Sequence, residues 1–302
     1  MKNTVLEYSV SQIKARLDKS VKPLVQDVSF CLKEKDSLAL IGETGSGKTI
    51  IACSIMKTLP SNIFENGLMM KFCGTDLSYT KNINKLLGDK IVYIPQSGLE
   101  CLSPSKKIKY QLYDSLKRIG IPKQELKATA EEKLRIAGFL EPQIILEKYP
   151  FELSGGMAQK VVIALAACSR AQLIIADEPT NGLDKESKEE FLQTINNVFP
   201  KAAKIIITHD IEVAKATEKI IVLCKGFIME SGNTAEVLED PRHPYTQALI
   251  AALAENGLKE SPKLREQVGE CPFFSRCTNA AGNNCIVLTD HNDGDRYWRC
   301  KA

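Results

Sequence analysis

Apolar residues along this chain recur with two periods, and the switches between them mark its elements. Residues 5–10 are rich in β-formers and 25–32 alternate apolar with polar positions, which predicts two strands with one buried face. Short continuous apolar runs at 37–41, 91–94, 173–176 and 204–208 predict strands buried on both faces. A helix is expected over 50–59 and a further short strand over 71–77. From about 97 to 149 the pattern changes. Apolar positions fall three and four apart over 108–119 and 122–138, with little β-branched sequence, which predicts helices. Helices follow over 161–171 and 185–198, then a hairpin of 220–224 and 227–230 turning at Lys225-Gly226. The alternation of strands and helices reads as an α/β sheet domain over 1–240, with a helical subdomain inserted at about 97–160. An extension over 241–302 follows.

Composition narrows the class. The chain has 302 residues, 44% hydrophobic and 25% charged, as expected of an ordinary globular protein. Its net charge of +3 is too small and too dispersed to argue for nucleic acid. No apolar run approaches the roughly 20 residues of a spanning helix, and the first residues lack the apolar core of a signal peptide. The expectation is a cytosolic protein that reaches a membrane only through a partner. Of its 10 cysteines, Cys31, Cys53, Cys73, Cys101, Cys168 and Cys224 lie singly in apolar or helical stretches and are read as small core residues. The other four, from Cys271 onward, cluster as metal ligands do in a reducing compartment.

Candidate chemistry sits at the carboxyl ends of the apolar runs. Gly42-Glu43-Thr44-Gly45-Ser46-Gly47-Lys48-Thr49 matches the phosphate-binding pattern G-x-x-x-x-G-K-S/T between a predicted strand and a predicted helix. Glycines there let backbone N–H groups turn toward an anion, Lys48 can bridge phosphate oxygens and the Thr49 hydroxyl can ligate Mg²⁺. Gln96, the acid pair Asp177-Glu178 and His209-Asp210 end three other strands, where α/β sheets bind ligands. Leu153-Ser154-Gly155-Gly156 is a second glycine-rich turn opening a helix.

The order GETGSGKT, YIPQ, LSGGMAQK, LIIADEPT, GLD and THD resembles the nucleotide-binding subunit of an ATP-binding cassette (ABC) transporter over about 5–253. The resemblance implies a P-loop NTPase fold that binds ATP and Mg²⁺. Gly42 to Thr49 would cradle the phosphates; Thr49, Gln96 and Asp177 would hold Mg²⁺. Glu178 would act as general base, His209 would contact the γ-phosphate, and Gln96 would report its presence. In the family Ser154, Gly155 and Gly156 contact ATP held by a second ATPase subunit, so hydrolysis needs a dimer, with Asp184 at its interface. Residues 97–105 would line the groove for a permease helix. The family usually stacks adenine on an aromatic residue, and the corresponding position falls near Ala15, with Tyr8 too early to replace it.

The tail narrows the resemblance. His243-Pro244-Tyr245-Thr246 and Cys271-Pro272-Phe273-Phe274-Ser275-Arg276-Cys277 resemble the oligopeptide, dipeptide and nickel importer ATPases. Cys285 and Cys300 would complete a C-x5-C-x7-C-x14-C set. It suits a 4Fe-4S cluster, with zinc, or unmetallated thiols or a disulfide, as alternatives. The role of the cluster would be structural or redox-regulatory, and nothing in the sequence suggests that it touches ATP. The resemblance implies an ATPase at the cytoplasmic face of the cell membrane, paired with a homologous subunit under two permease chains. An extracytoplasmic protein would deliver peptide, nickel or a metal chelate. The rivals are a non-catalytic regulatory subunit and an ABC ATPase outside transport.

Overall fold

In chain order the first elements are β1 (Thr4–Leu17), β2 (Ser20–Lys33), β3 (Ser37–Ile41), α1 (Lys48–Ile55), β4 (Ile63–Asn66), β5 (Met69–Phe72), β6 (Thr75–Asp76) and β7 (Ile91–Ile94). Five helices follow: α2 (Gly98–Cys101), α3 (Ile108–Arg118), α4 (Leu126–Ile136), α5 (Pro142–Glu147) and α6 (Gly155–Ala166). Then come β8 (Leu173–Asp177), α7 (Lys185–Val198), β9 (Ala203–Thr208), α8 (Ile211–Lys215), β10 (Lys219–Cys224) and β11 (Phe227–Asn233). The last are α9 (Thr234–Glu239), α10 (Pro244–Ala251), β12 (Asp290–Asp293) and β13 (Arg296–Arg299). The structure, a computed structural model, describes residues 3–17, 20–80, 83–252, 271–277 and 289–300. Its contacts divide the chain into two compact units. One comprises Met1–Val5, Lys33–Lys35 and Lys81–Ile207, the other Leu6–Leu32, Asp36–Thr80 and Thr208–Ala302.

The first unit is built on parallel strands. Ile91 pairs with Leu173 and Ile175 with Ile205, so β7, β8 and β9 run in one direction. Every residue of β8 and β9 is buried, as an apolar run covered on both faces requires. The helices pack among themselves: α3 meets α4, α5 and α6, with Leu112, Leu116, Ala130 and Leu134 fully buried. Burying each leucine contributes about 2 kcal/mol relative to exposure. α6 begins six residues before the expected 161, at Gly155, because the Ser154 hydroxyl caps it by accepting from the Met157 N–H.

The second unit carries two sheet segments. In one, β1 lies between β2 and β5, with β6 beyond β5 and β4 also antiparallel to β1. β1 and β2 run longer than the expected 5–10 and 25–32. Alternation continues through Ile13 and Ala15, both buried, once β4 supplies a partner strand. β2 is an edge strand of this segment, where Pro23 is tolerated. The expected strand over 71–77 is instead a hairpin, broken by Cys73 at φ 48°. α1 stops short of 59 because Lys57 takes φ 54°.

In the other segment β3 runs parallel to β10, and β10 pairs antiparallel with β11 in the expected hairpin. The hairpin is not terminal, since β11 also pairs with β13 and β13 with β12. A buried carboxylate fastens that addition. Glu230, fully buried, accepts from the N–H groups of Arg242 and His243 at 2.9 and 3.0 Å and from the Arg296 guanidinium at 2.8 Å. Removing Arg296 would leave that charge uncompensated, at a cost of about 3–5 kcal/mol.

Six cysteines were expected in the core, and two are there: Cys168 and Cys224, whose thiols burial pushes up to about 12. Cys31, Cys73 and Cys101 are exposed and Cys53 is half-buried. Cys31 lies on the outward face of β2 and Cys73 in a turn, positions that an apolar neighbourhood in sequence does not reveal.

Candidate functional site

In the second unit, β3 delivers the chain into a loop that closes on α1. Gly42, Gly45 and Gly47 take φ of 148°, 80° and 104°. At Gly42 a Cβ would lie 2.1 Å from the Leu223 carbonyl oxygen, so only glycine fits. Lys48 is buried, and its Nζ donates to the carbonyls of Gly42 at 2.7 Å and Glu43 at 3.1 Å. Ser46 Oγ is buried with no hydrogen-bond partner among the described residues. No acidic residue occupies the first turn of α1, and Thr49 is exposed there. A helix N-terminus, an inward lysine and an orphaned hydroxyl around one glycine-rich loop suit a phosphate chain.

The tail reaches this loop, a contact that none of its motifs announces. The Glu43 N–H donates to Tyr245 Oη at 3.0 Å, and both Glu43 carboxylate oxygens accept from Arg276, at 2.6 and 2.8 Å. The hydrogen-bonded Arg276 guanidinium holds the Glu43 carboxyl below the usual carboxylate range. Arg276 lies 5.2 Å over the Phe273 ring, and that ring packs against Tyr245 at 5.2 Å. Tyr245, Phe273, Cys271 and Cys277 share one core cluster with Ala39, Ile41 and Val222. The motifs bearing Tyr245 and Arg276 stood out in the sequence, but partners 202 and 233 residues away leave no periodic signal.

His243 caps α10 by accepting the Tyr245 N–H on Nδ1 at 2.9 Å. Burial drives its pKa from 6.5 to about 4. The unfolded chain binds the proton first, so this contribution is whole above pH 6.5 and lost as pH falls from 6.5 to 4. The loss amounts to about 3 kcal/mol. Urea denaturation followed across that window is expected to show stability falling with pH, and His243→Asn, which keeps a capping side chain, flattens the slope.

In the first unit, Asp177 is buried at the end of β8 and accepts from Tyr93 Oη at 3.2 Å. The chain then turns at Glu178, which takes φ 47° and donates its N–H to the Ile207 carbonyl at 2.8 Å. Gln96 follows β7, and its carbonyl accepts from Gln159 Nε2 on α6 at 3.0 Å. Gln96, Glu100, Gly155, Gln159, Asn181 and Gly182 line a shared 540 Å³ cleft. Ser154 to Gly156 open α6, and Asp184 caps α7 by accepting from the Ser187 N–H at 2.9 Å. His209, in the second unit, is exposed just after β9.

At the position expected to face adenine, Ala15 is buried in β1 opposite Ile63, and the neighbouring Arg16 guanidinium lies 5.7 Å over the Phe64 ring. Tyr8 is buried and bonded to Ser54 at 2.8 Å, so it offers no stacking face. Cys271, Cys277 and Cys300 are buried, while Cys285 lies outside the described residues. Among the described residues no group of three or more His, Cys, Asp or Glu is gathered to hold a metal ion, so the placed thiols do not by themselves fit a cluster.

The profile of the ABC transporter domain matches residues 25–181, more than half of the chain. The chain belongs to the ABC transporter family. It is the ATP-binding and ATP-hydrolysing subunit of such a system. The profile of the oligopeptide/dipeptide transporter C-terminal region matches residues 229–285. The dipeptide transport ATP-binding protein DppD of Haemophilus influenzae is 34% identical over 293 residues, 91% of this chain and 88% of its own. The metal-staphylopine import system ATP-binding protein CntD of Staphylococcus aureus is 35% identical over 76% of this chain and 87% of its own. Among solved structures, the dimeric ATP-binding cassette MJ0796 in a post-hydrolysis state with ADP and Pi shares the fold. Its TM-score is 0.66 at 23% identity, over 76% of this ABC subunit and 98% of that chain.

Proposed function

We propose that this ABC subunit powers import of a peptide, nickel or a metal chelate, through two permease chains fed by an extracytoplasmic binding protein. The observation that carries this reading is the tail. The match over 229–285 belongs to oligopeptide and dipeptide transporters, and two relatives are named for dipeptide and metal-staphylopine transport. In this reading the ATPase domain covers 1–240, with its helical subdomain at about 97–160, and works at the cytoplasmic membrane face. Its partner is a homologous ATPase subunit, in a heterodimer or a homodimer.

The residues divide the work. The loop from Gly42 to Gly47 would cradle the phosphates with the Ser46 hydroxyl and the backbone N–H groups other than those of Glu43 and Ser46, which are donated within the chain, and Lys48 would exchange its loop carbonyls for phosphate oxygens. Thr49, Gln96 and Asp177 would hold Mg²⁺, which neutralises developing phosphate charge when bound. Glu178 orients and deprotonates the attacking water, and His209 contacts the γ-phosphate. Ser154, Gly155 and Gly156 present a capped helix N-terminus to nucleotide on the partner subunit. Asp184 lies at the dimer interface and 97–105 receive a permease helix.

The experiment is uptake by cells lacking this chain's gene, using labelled dipeptide, nickel ion and a nickel chelate as separate probes. Loss of one uptake, restored by the wild-type chain, identifies the cargo class; three unchanged rates would defeat the importer reading. A four-thiolate cluster at Cys271, Cys277, Cys285 and Cys300 belongs to the same proposal and rests on the spacing of the cysteines alone. Anaerobically purified protein is expected to carry iron and sulfide with absorbance near 400 nm, lost in Cys277→Ser. Zinc alone would favour the tetrahedral alternative.

A further inference from the structure

Every polar group of Glu43 is engaged. Its N–H is held by Tyr245 Oη, its carboxylate by Arg276, and its carbonyl accepts from the Ser46 N–H and from Lys48 Nζ, both at 3.1 Å. One residue is thus the common anchor for the lysine and the buried serine of the phosphate loop, and it is gripped from outside that loop by the C-terminal segment. We propose that Arg276 and Tyr245 are positioning residues for ATP binding, through which the segment from Cys271 to Cys277 sets the affinity of the loop for a nucleotide triphosphate. The inference rests on the nucleotide-binding reading of the loop and extends it to residues of the tail.

Two physical effects act in the same direction. Tyr245 is anchored in the core, so its hydroxyl fixes the orientation of the Gly42–Glu43 peptide and with it the Gly42 carbonyl, which accepts from Lys48 Nζ at 2.7 Å. Arg276 deals with charge. A carboxylate beside a loop that receives a polyanion repels it, and a bidentate guanidinium cancels that field. Phe273 keeps the guanidinium in place from below. Because the carboxylate is 47% exposed, solvent and salt screen the pair and the effect is moderate.

The test is Mg-ATP binding to the full chain by titration calorimetry. Arg276→Ala is expected to weaken binding about fivefold, less at high salt, by leaving the Glu43 charge bare. Arg276→Ala combined with Glu43→Gln is expected to return to within about twofold of wild type, because the repelling charge is gone. Tyr245→Phe, which keeps the ring and removes the hydroxyl, is expected to weaken binding about threefold. A double variant as weak as Arg276→Ala would reduce Arg276 to a structural tie of the tail and overturn the proposal. Unchanged affinity in both Arg276→Ala and Tyr245→Phe would also overturn it. Should Arg276→Ala not fold, Glu43→Gln alone decides the charge effect, since binding weakened fivefold there contradicts repulsion by this carboxylate. A wild-type chain that bound no Mg-ATP would instead defeat the nucleotide reading itself.

Discussion

Glu178→Gln is expected to lower ATP hydrolysis by about a hundredfold or more while leaving Mg-ATP binding within about twofold of wild type. Glutamine keeps the length and a hydrogen-bonding end but cannot take a proton from water. The backbone at this position is held by its neighbours. β8 is buried to its last residue, Asp177, and the Glu178 N–H is fixed to the Ile207 carbonyl with φ at 47°. The side chain is therefore launched from a rigid strand end, which is how a general base is kept in register with a reacting water. Phosphate release is the measurement, made on the chain co-purified with its partner ATPase and permeases. A rate unchanged by the substitution would assign hydrolysis to the partner subunit and leave this chain a binding or regulatory half.

Gly42→Ala is expected to be among the most damaging single substitutions, costing about 3 kcal/mol or more and abolishing nucleotide binding. Its Cβ would meet the Leu223 carbonyl oxygen at 2.1 Å, and that oxygen belongs to β10, parallel neighbour of β3. Relief requires moving the loop away from the strand, because neither atom is the end of a flexible side chain. Gly45→Ala provides the comparison. A Cβ there meets nothing within 4 Å, so only the left-handed backbone at φ 80° is penalised, at about 1 kcal/mol. Thermal denaturation of the two variants should separate them by several degrees. Equal melting points would show that the loop yields at Gly42 and that its packing on β10 is not what shapes it.

Much of this molecule could be read before any coordinates. The apolar runs at 91–94, 173–176 and 204–208 became parallel buried strands because a strand covered on both faces has no other pattern available. The phosphate loop was readable because its chemistry depends on residue types at fixed spacing within one short stretch. Errors gathered where backbone conformation or a distant partner decided the outcome. The strand over 71–77 became a hairpin through a left-handed Cys73, a conformation its side chain does not announce. β1 outran its predicted limit because β4 pairs with its second half, from Gln12 to Ala15.

The tail shows the same division at the site itself. Local motifs marked Tyr245 and Arg276 as part of a recognisable segment, and the four cysteines drew attention toward metal chemistry. That both residues close on Glu43 was not readable, since any of the chain's 37 acidic residues could have partnered an arginine 233 positions away. The sequence by itself determined the nucleotide chemistry, the family and the central run of buried strands and helices, all of which depend on short-range spacing and periodicity. Only the tertiary structure decided that β13 extends the sheet past β11 and that the C-terminal segment grips the phosphate loop. The first rests on backbone pairing and the Arg296–Glu230 contact, the second on burying one shared apolar cluster around Tyr245 and Phe273, a driving force that depends on area and has no signature in local sequence.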